Sequence, residues 1–452
     1  GWTVAEDWQW PQGQLNFDDA GDVWVLETER WTLSVNKNNG LLSFDTDNGE
    51  MYRELNYQID SPRLNVVLDD RDHFVALGEK TGGLDKRGEE LTMWTTDAIN
   101  PEEGILPWTD PIYQSHPFVI TVRDGDAFGL YFQNTFRSVF DLGKNQSEVI
   151  ISAEAGALDY VLIPGPTIPK VVERYTEMTG RTFMPPMWTM GYHQCKWSYH
   201  PDSQVESIAN TFRELDISAD GMWLDIHYMD GYRSYTWSPT EFSQPQTLLS
   251  NLEAQGFKTT VIIDPGIKED PGYSVYDTGM AGGHFVDLPS GDTYVGEVWP
   301  GASVFPDYSS PAARDWWADL TPRVTDFGVK GIWIDMNEPT TFTGEFPLDT
   351  QYHGEGIPTT HREVRNVYAK LMAVATMKGL RDARPGERPF VLTRAGFAGI
   401  SPYSAVWTGD ALSTWEHLAM TPTMLSNLGL SGVPFAGSDV GGFTGDASQE
   451  LF

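Results

Sequence analysis

From Met187 onward, short apolar segments recur, and each runs into a charged residue. Met222-Trp223-Leu224 leads to Asp225, Val261-Ile262-Ile263 to Asp264, Ile332-Trp333-Ile334 to Asp335, Val391-Leu392-Thr393 to Arg394, Val406-Trp407-Thr408-Gly409 to Asp410, and Val433 through Ser438 to Asp439. A strand that is apolar along its whole length has no solvent face, which is the condition of a parallel sheet covered by helices. The intervening sequence changes to helical spacing. Val205, Ile208, Ala209, Phe212 and Leu215 share one face of a predicted helix over 202–215, with Asp202 placed to cap it, and a second helix is predicted near 248–256. Strands are predicted at Met222–Leu224, Thr259–Ile263, Gly331–Ile334, Phe390–Thr393, Ala405–Trp407 and Val433–Ala436. Strand and helix alternating this often predict a (β/α)8 barrel, of which about seven strands lie in this sequence.

Residues 1–180 follow a different pattern. Val23–Glu27 and Trp31–Val35 alternate in polarity, Asn38-Asn39-Gly40 separates the second from Leu41–Phe44, and Asp124-Gly125 separates Val119–Val122 from Phe128–Phe132. Short strands joined by tight turns predict an N-terminal β-sandwich, followed from residue 181 by the barrel, with a loop insertion near 267–310.

Parallel barrel strands present their C-terminal ends at one face, so Asp225, Asp264, Asp335, Arg394, Asp410 and Asp439 converge there. One acidic residue after a strand is ordinary turn chemistry. Five carboxylates and an arginine in register call for another explanation. With no His or Cys in the pattern, a hard metal or acid/base chemistry on a neutral substrate both fit. Trp223, Trp299, Trp333, Trp407 and Phe443 lie near the same ends, and flat rings beside carboxylates suit a pyranose, with its C–H faces and hydroxyl rim. Glycoside cleavage uses two carboxyl groups whose pKa values are driven apart.

The charge favours, weakly, a neutral or cationic substrate. With 64 acidic and 30 basic residues the net charge is −34, which repels nucleic acid and anionic membranes. Cys195 is the single cysteine, so neither an intrachain disulfide nor a cysteine metal site is expected. No apolar run approaches the ~18 residues that span a bilayer, and no signal pattern opens the sequence; cytoplasmic, periplasmic and secreted locations all stay open. Phosphate-cradle, Ser-His-Asp and HExxH patterns are absent from the sequence, and no cofactor or metal is expected.

Gly331-Ile332-Trp333-Ile334-Asp335-Met336-Asn337-Glu338-Pro339 resembles the nucleophile signature of glycoside hydrolase family 31. The resemblance continues through Gly191–Trp197, Trp223–Ile226, Trp299-Pro300-Gly301, Arg394-Ala395-Gly396, Trp407–Asp410 and Gly437–Phe443. In the sandwich it includes Gly78–Thr81 and Met93–Asp97. It implies a retaining, exo-acting α-glucosidase acting on malto- or isomalto-oligosaccharides. Asp335 is then the nucleophile, Asp410 the general acid/base, and Glu338 an orienting carboxylate in the catalytic group. Arg394 is implied beside the acid/base, Asp225 on the hydroxyls of the non-reducing glucose, and Asp97 on the leaving-group sugar. Ile226, Ile262, Asp264, Trp299, Trp333, Met336, Trp407, Asp439 and Phe443 complete the implied substrate site. Trp333, where the family's α-xylosidases tend to carry Lys, and Ile226 favour glucose over xylose. An α-transglucosylase, an α-xylosidase, an α-glucan lyase and a non-catalytic sugar-binding fragment are the alternatives on the same scaffold.

Two further expectations concern the end of the chain. Arg394 and Asp410 are 16 positions apart, too close for a helix between their strands, so a loop is predicted there. The family usually continues through an eighth strand and C-terminal β-domains. A second polypeptide carrying that remainder is therefore expected, unless the sequence is a divided one.

Overall fold

The computed structural model describes residues 2–5, 7–9, 15–28, 30–98, 104–145 and 147–452. The N-terminal region folds into two sheets. The larger has nine strands and runs from Asn16–Ala20 at one edge to Glu90–Met93 at the other; the smaller has four from this region and a fifth from much later in the chain. The predicted hairpins are present: Val23–Glu27, Trp31–Asn36 and Leu42–Thr46 pair antiparallel in succession, as do Gln114–Arg123 and Asp126–Phe132. The inward residues Phe44, Tyr52, Leu64, Phe74, Met93, Phe128, Leu130, Phe140 and Ile151 form one core between the sheets.

Helix Ile168–Thr179 follows, stacking Tyr175 on Phe118 at 3.8 Å between ring centroids. The barrel strands come next. All are parallel, in the order His193–Gln194, Gly221–Leu224, Lys258–Ile263, Gly331–Ile334, Phe390–Thr393, Ala405–Trp407 and Ala436–Gly437. These seven strands of a truncated (β/α)8 barrel form a continuous path, and among the described residues the first and last do not pair with each other. No helix among the described residues is long and apolar enough to cross a membrane.

Four local expectations need correction. Asp202 is the first residue of helix Asp202–Glu214 rather than its cap. Pro201 holds the cap position without a side-chain bond, so Asp202 acts only through its charge on the helix dipole. Leu215 falls just beyond this helix and is exposed, while Val205 and Ala209 carry the buried face. The second helix is Pro245–Ala254, starting earlier than its apolar pattern because proline is preorganised for a first turn. The last strand is only Ala436–Gly437: the Val433 N–H goes back to the Leu428 carbonyl, and Pro434 has no N–H to donate.

The Arg394–Asp410 connection contains no helix. Its segment Gly396–Phe397 instead joins the smaller sandwich sheet, pairing parallel with Gln114 and Ser115. The connection therefore ties the C-terminal face of the barrel to the N-terminal domain. Between Ile263 and Gly331 lie helix Ser274–Gly282 and a small antiparallel sheet of Ile267–Lys268, Gly301–Val304 and Val295–Val298.

Candidate active site

The fourth strand delivers Asp335 to the barrel's end, where the chain turns sharply. Met336 adopts the left-handed region at φ 55°, a strained conformation for a residue with a side chain. The turn is wired to the fifth strand. Asn337 donates to the Thr393 hydroxyl at 3.0 Å and accepts from the Ala395 N–H at 3.1 Å. Glu338, fully buried, accepts from Arg394 at 2.9 Å through Nε and 2.8 Å through Nη2. Asp335 and Arg394 thus come from adjacent strands and are held by the residues flanking them.

Arg394 is the centre of the cluster. Its Nε lies 3.1 Å from Asp335 Oδ1, its Nη2 3.2 Å from Asp97, and its Nη1 3.9 Å from Asp410. The Asp335 contact is one of charge, because Oδ1 has no hydrogen-bond partner among the described residues. Asp97 crosses from the sandwich, and the Tyr113 hydroxyl donates to it at 3.2 Å. The Tyr113 ring also carries the Arg394 guanidinium at 5.0 Å. Gly409 permits this approach: a Cβ there would lie 2.2 Å from the Tyr113 ring, and its φ of 73° also suits glycine.

Beneath the carboxylates lies a layer of tryptophans from alternate strands, the arrangement expected inside a barrel. Trp223, Trp333 and Trp407 come from the second, fourth and sixth strands, with centroids 5.9 Å and 5.5 Å apart in succession. Trp223 donates to His193 Nδ1 at 3.0 Å, while the buried Trp333 Nε1 has no partner among the described residues.

The other predicted residues differ in setting. Asp225 is buried and accepts from the Ile226 N–H at 2.6 Å; Ile226 is buried beside it. Asp264 is buried with Oδ1 unpartnered among the described residues. Ile262 is also buried, and its carbonyl accepts from the Tyr228 hydroxyl at 2.9 Å. Met336 places its sulfur 3.5 Å from Arg394 Nη2. Asp439 and Phe443 are half-buried on the loop after the last strand. Trp299 sits in the insertion, packed with Trp197 at 5.8 Å and Phe342 at 5.0 Å. Tyr113, and Gln114, which donates to the Arg394 carbonyl at 2.6 Å, were not foreseen, since nothing near them in sequence marks them.

So many buried carboxyls around one guanidinium cannot all ionise freely. Burial, reinforced by neighbouring carboxylates, raises Asp225 and Asp439 to about 7 each and Asp264 well above the usual range. Burial also raises Asp335 to about 7 and Asp410 to about 6, opposed in each case by Arg394. Because Asp335 and Asp410 share this cation, they titrate together. Even with Arg394 opposing, burial leaves Asp335 with the higher of the two values. The contact distances pull the other way: Arg394 lies 3.1 Å from Asp335 and 3.9 Å from Asp410, which favours the negative charge on Asp335. An ionised Asp335 beside a protonated Asp410 is the arrangement these contacts stabilise.

Two family models match the chain. The glycosyl hydrolases family 31 TIM-barrel domain covers residues 182–452, and the glycosyl hydrolase 31 N-terminal galactose mutarotase-like domain covers 7–141. Alpha-glucosidase 2 of Bacillus thermoamyloliquefaciens is 48% identical over 85% of this chain and 49% of its own length. The Alpha-glucosidase of Saccharolobus solfataricus is 37% identical over 85% and 58%. Among solved structures, the Flavobacterium johnsoniae GH31 dextranase in complex with isomaltotriose superposes with a TM-score of 0.88 at 27% identity, covering 98% of this chain and 55% of its own. The chain thus spans roughly half the length of these relatives.

Proposed function

The chain belongs to glycoside hydrolase family 31, and on that premise we propose that it is a retaining, exo-acting α-glucosidase for malto- or isomalto-oligosaccharides, with Asp335 as nucleophile and Asp410 as general acid/base. The observation that carries this reading is the single buried guanidinium shared by the two carboxyls, 3.1 Å from one and 3.9 Å from the other. Glu338 and Asp97 draw on the same guanidinium, so two ionised carboxyls on the pair are disfavoured and one of them keeps a proton more readily.

In the first step an oxygen of Asp335 attacks the anomeric carbon as its bond to the leaving oxygen breaks. The proton of Asp410 passes to that oxygen. In the second step Asp410, now ionised, takes a proton from water, whose oxygen attacks the same carbon and frees Asp335. Two inversions give net retention, and direct attack requires the carboxyls to sit ~5–5.5 Å apart. Asp225 and Asp439 are read as binding glucose hydroxyls, with Trp333 and Trp407 beneath the sugar. Asp97 is read as meeting the leaving-group sugar. Glu338 orients Arg394.

The pH dependence tests the pair. Below the lower pKa Asp335 is protonated and cannot attack; above the upper one Asp410 has lost the proton it must donate. The profile of kcat/KM on maltose is expected to be bell-shaped, with limbs near the values of about 6 and about 7 carried by the pair. A profile flat from about pH 5 to about pH 9 would contradict the assignment.

We also propose that a further segment, on a second polypeptide or on this one, supplies the strand that closes the sheet. Two observations among the described residues support this: the unpaired outer sides of the first and seventh strands, and the exposed Met187 and Met190 just before the first. Intact mass of the native protein distinguishes two polypeptides from one longer chain.

A further inference from the structure

Asn366 lies in helix His361–Ala383, between the fourth and fifth barrel strands, yet its side chain is committed to the sandwich. It is fully buried. Its Oδ1 accepts from the Thr95 N–H at 2.9 Å, and its Nδ2 donates among the carbonyls of Thr135 at 3.0 Å, Met93 at 3.2 Å and Phe136 at 3.3 Å. The neighbouring Arg365 donates from Nε to the Thr95 carbonyl at 3.0 Å, and its guanidinium lies over the Trp94 ring at 5.3 Å. The Thr95 hydroxyl completes the contact, 3.2 Å from the Arg365 carbonyl and 3.4 Å from that of Glu338.

These bonds have a structural cause. Glu90–Met93 is the edge strand of the nine-stranded sheet, so the backbone leaving it has no further strand to pair with. A buried N–H or C=O without a partner is costly. Asn366, with a carbonyl and an amino group on one planar amide, substitutes for the missing strand at Met93 and Thr95. Two residues beyond Thr95, Asp97 meets Arg394.

We propose that Asn366 and Arg365 are positioning residues for the leaving-group sugar: they clamp the Met93–Asp97 segment to the barrel and so fix where Asp97 stands relative to Asp410. The part concerning the sugar rests on the reading of Asp97 given above. The clamp itself rests on the hydrogen bonds. Specificity for the leaving group is then controlled from a barrel helix, although the residue making the contact belongs to the sandwich.

The test uses Asn366→Ala in the intact protein, with Arg365→Lys as a milder variant that keeps the charge but loses the Nε donor. Hydrogen–deuterium exchange reads the clamp without reference to activity: segment 93–98 is expected to exchange faster, with the barrel strands unchanged. Kinetics are then compared on maltose and on α-glucosyl fluoride, whose leaving group is not a sugar and needs no proton. The expected result is a rise in KM and a drop in kcat/KM on the order of 10- to 100-fold for maltose, with the fluoride within about 2-fold of wild type. Equal losses on both substrates would reduce Asn366 to a general structural role and overturn the proposal. Unchanged exchange in both variants would overturn the clamp whatever the kinetics. A wild-type protein inert on both substrates would instead remove the catalytic reading, and the exchange data would still judge the clamp.

Discussion

Replacing Asp335 with alanine lowers kcat on maltose by about 10⁴-fold or more, because no other group in the site can form the covalent bond to the anomeric carbon. Folding should not suffer with it. Burial and the nearby Asp410 and Glu338 carboxylates raise the pKa of Asp335, so its charged form is a burden on the folded state. Removing it relieves that crowding, and the melting temperature of the variant should equal or exceed that of the wild type at neutral pH. Steady-state kinetics and a thermal melt on the same preparation check both halves. A variant that loses activity together with its melting transition would point to structure rather than to catalysis.

Arg394→Met should do the reverse, damaging stability first. The Arg394 side chain is only 2% exposed, and Glu338, its bidentate partner, is fully buried. Methionine matches much of the volume but none of the charge, leaving Glu338, Asp335 and Asp97 facing one another without a counter-ion. Breaking a buried ion pair by removing one partner costs about 3–5 kcal/mol, read as a lower denaturant midpoint. Low pH should restore part of this loss, because protonated carboxyls need no cation. Arg394→Lys recovers the charge but not the planar fork that grips Glu338 through two nitrogens, so its stability should fall between the two. A midpoint unchanged in the methionine variant would show that the cluster is not organised around this arginine.

The sequence made the barrel strands legible wherever they were apolar throughout. Gly331–Ile334, Phe390–Thr393 and Ala405–Trp407 lie at their predicted positions because burial on both faces leaves few other conformations for such runs. The charged residue closing each strand marked the C-terminal face for the same reason: it is the first residue past the apolar layer. Less legible were features decided by distant partners. Val433 has a strand-like sequence, but its N–H is taken by the Leu428 carbonyl in the last turn of helix Trp415–Leu430. The short Arg394–Asp410 connection was expected as a loop, yet nothing local showed that Gly396 and Phe397 would extend a sheet formed more than 250 residues earlier in the chain. Tyr113, Gln114 and Asn366 escaped notice for a related reason. Each is an ordinary residue in or next to an ordinary strand or helix, and its role comes from what lies across the interface between the sandwich and the barrel.

In the proposed mechanism one carboxylate attacks the sugar and a second, sharing the same guanidinium, supplies and recovers the proton. The most direct measurement is proton NMR of maltose with the purified protein, recorded from the first moments, before mutarotation mixes the anomers. Two displacements at one carbon predict that the newly released glucose appears first as the α-anomer. Glucose appearing first as the β-anomer would mean a single displacement by water, and the assignment of Asp335 as nucleophile would be wrong.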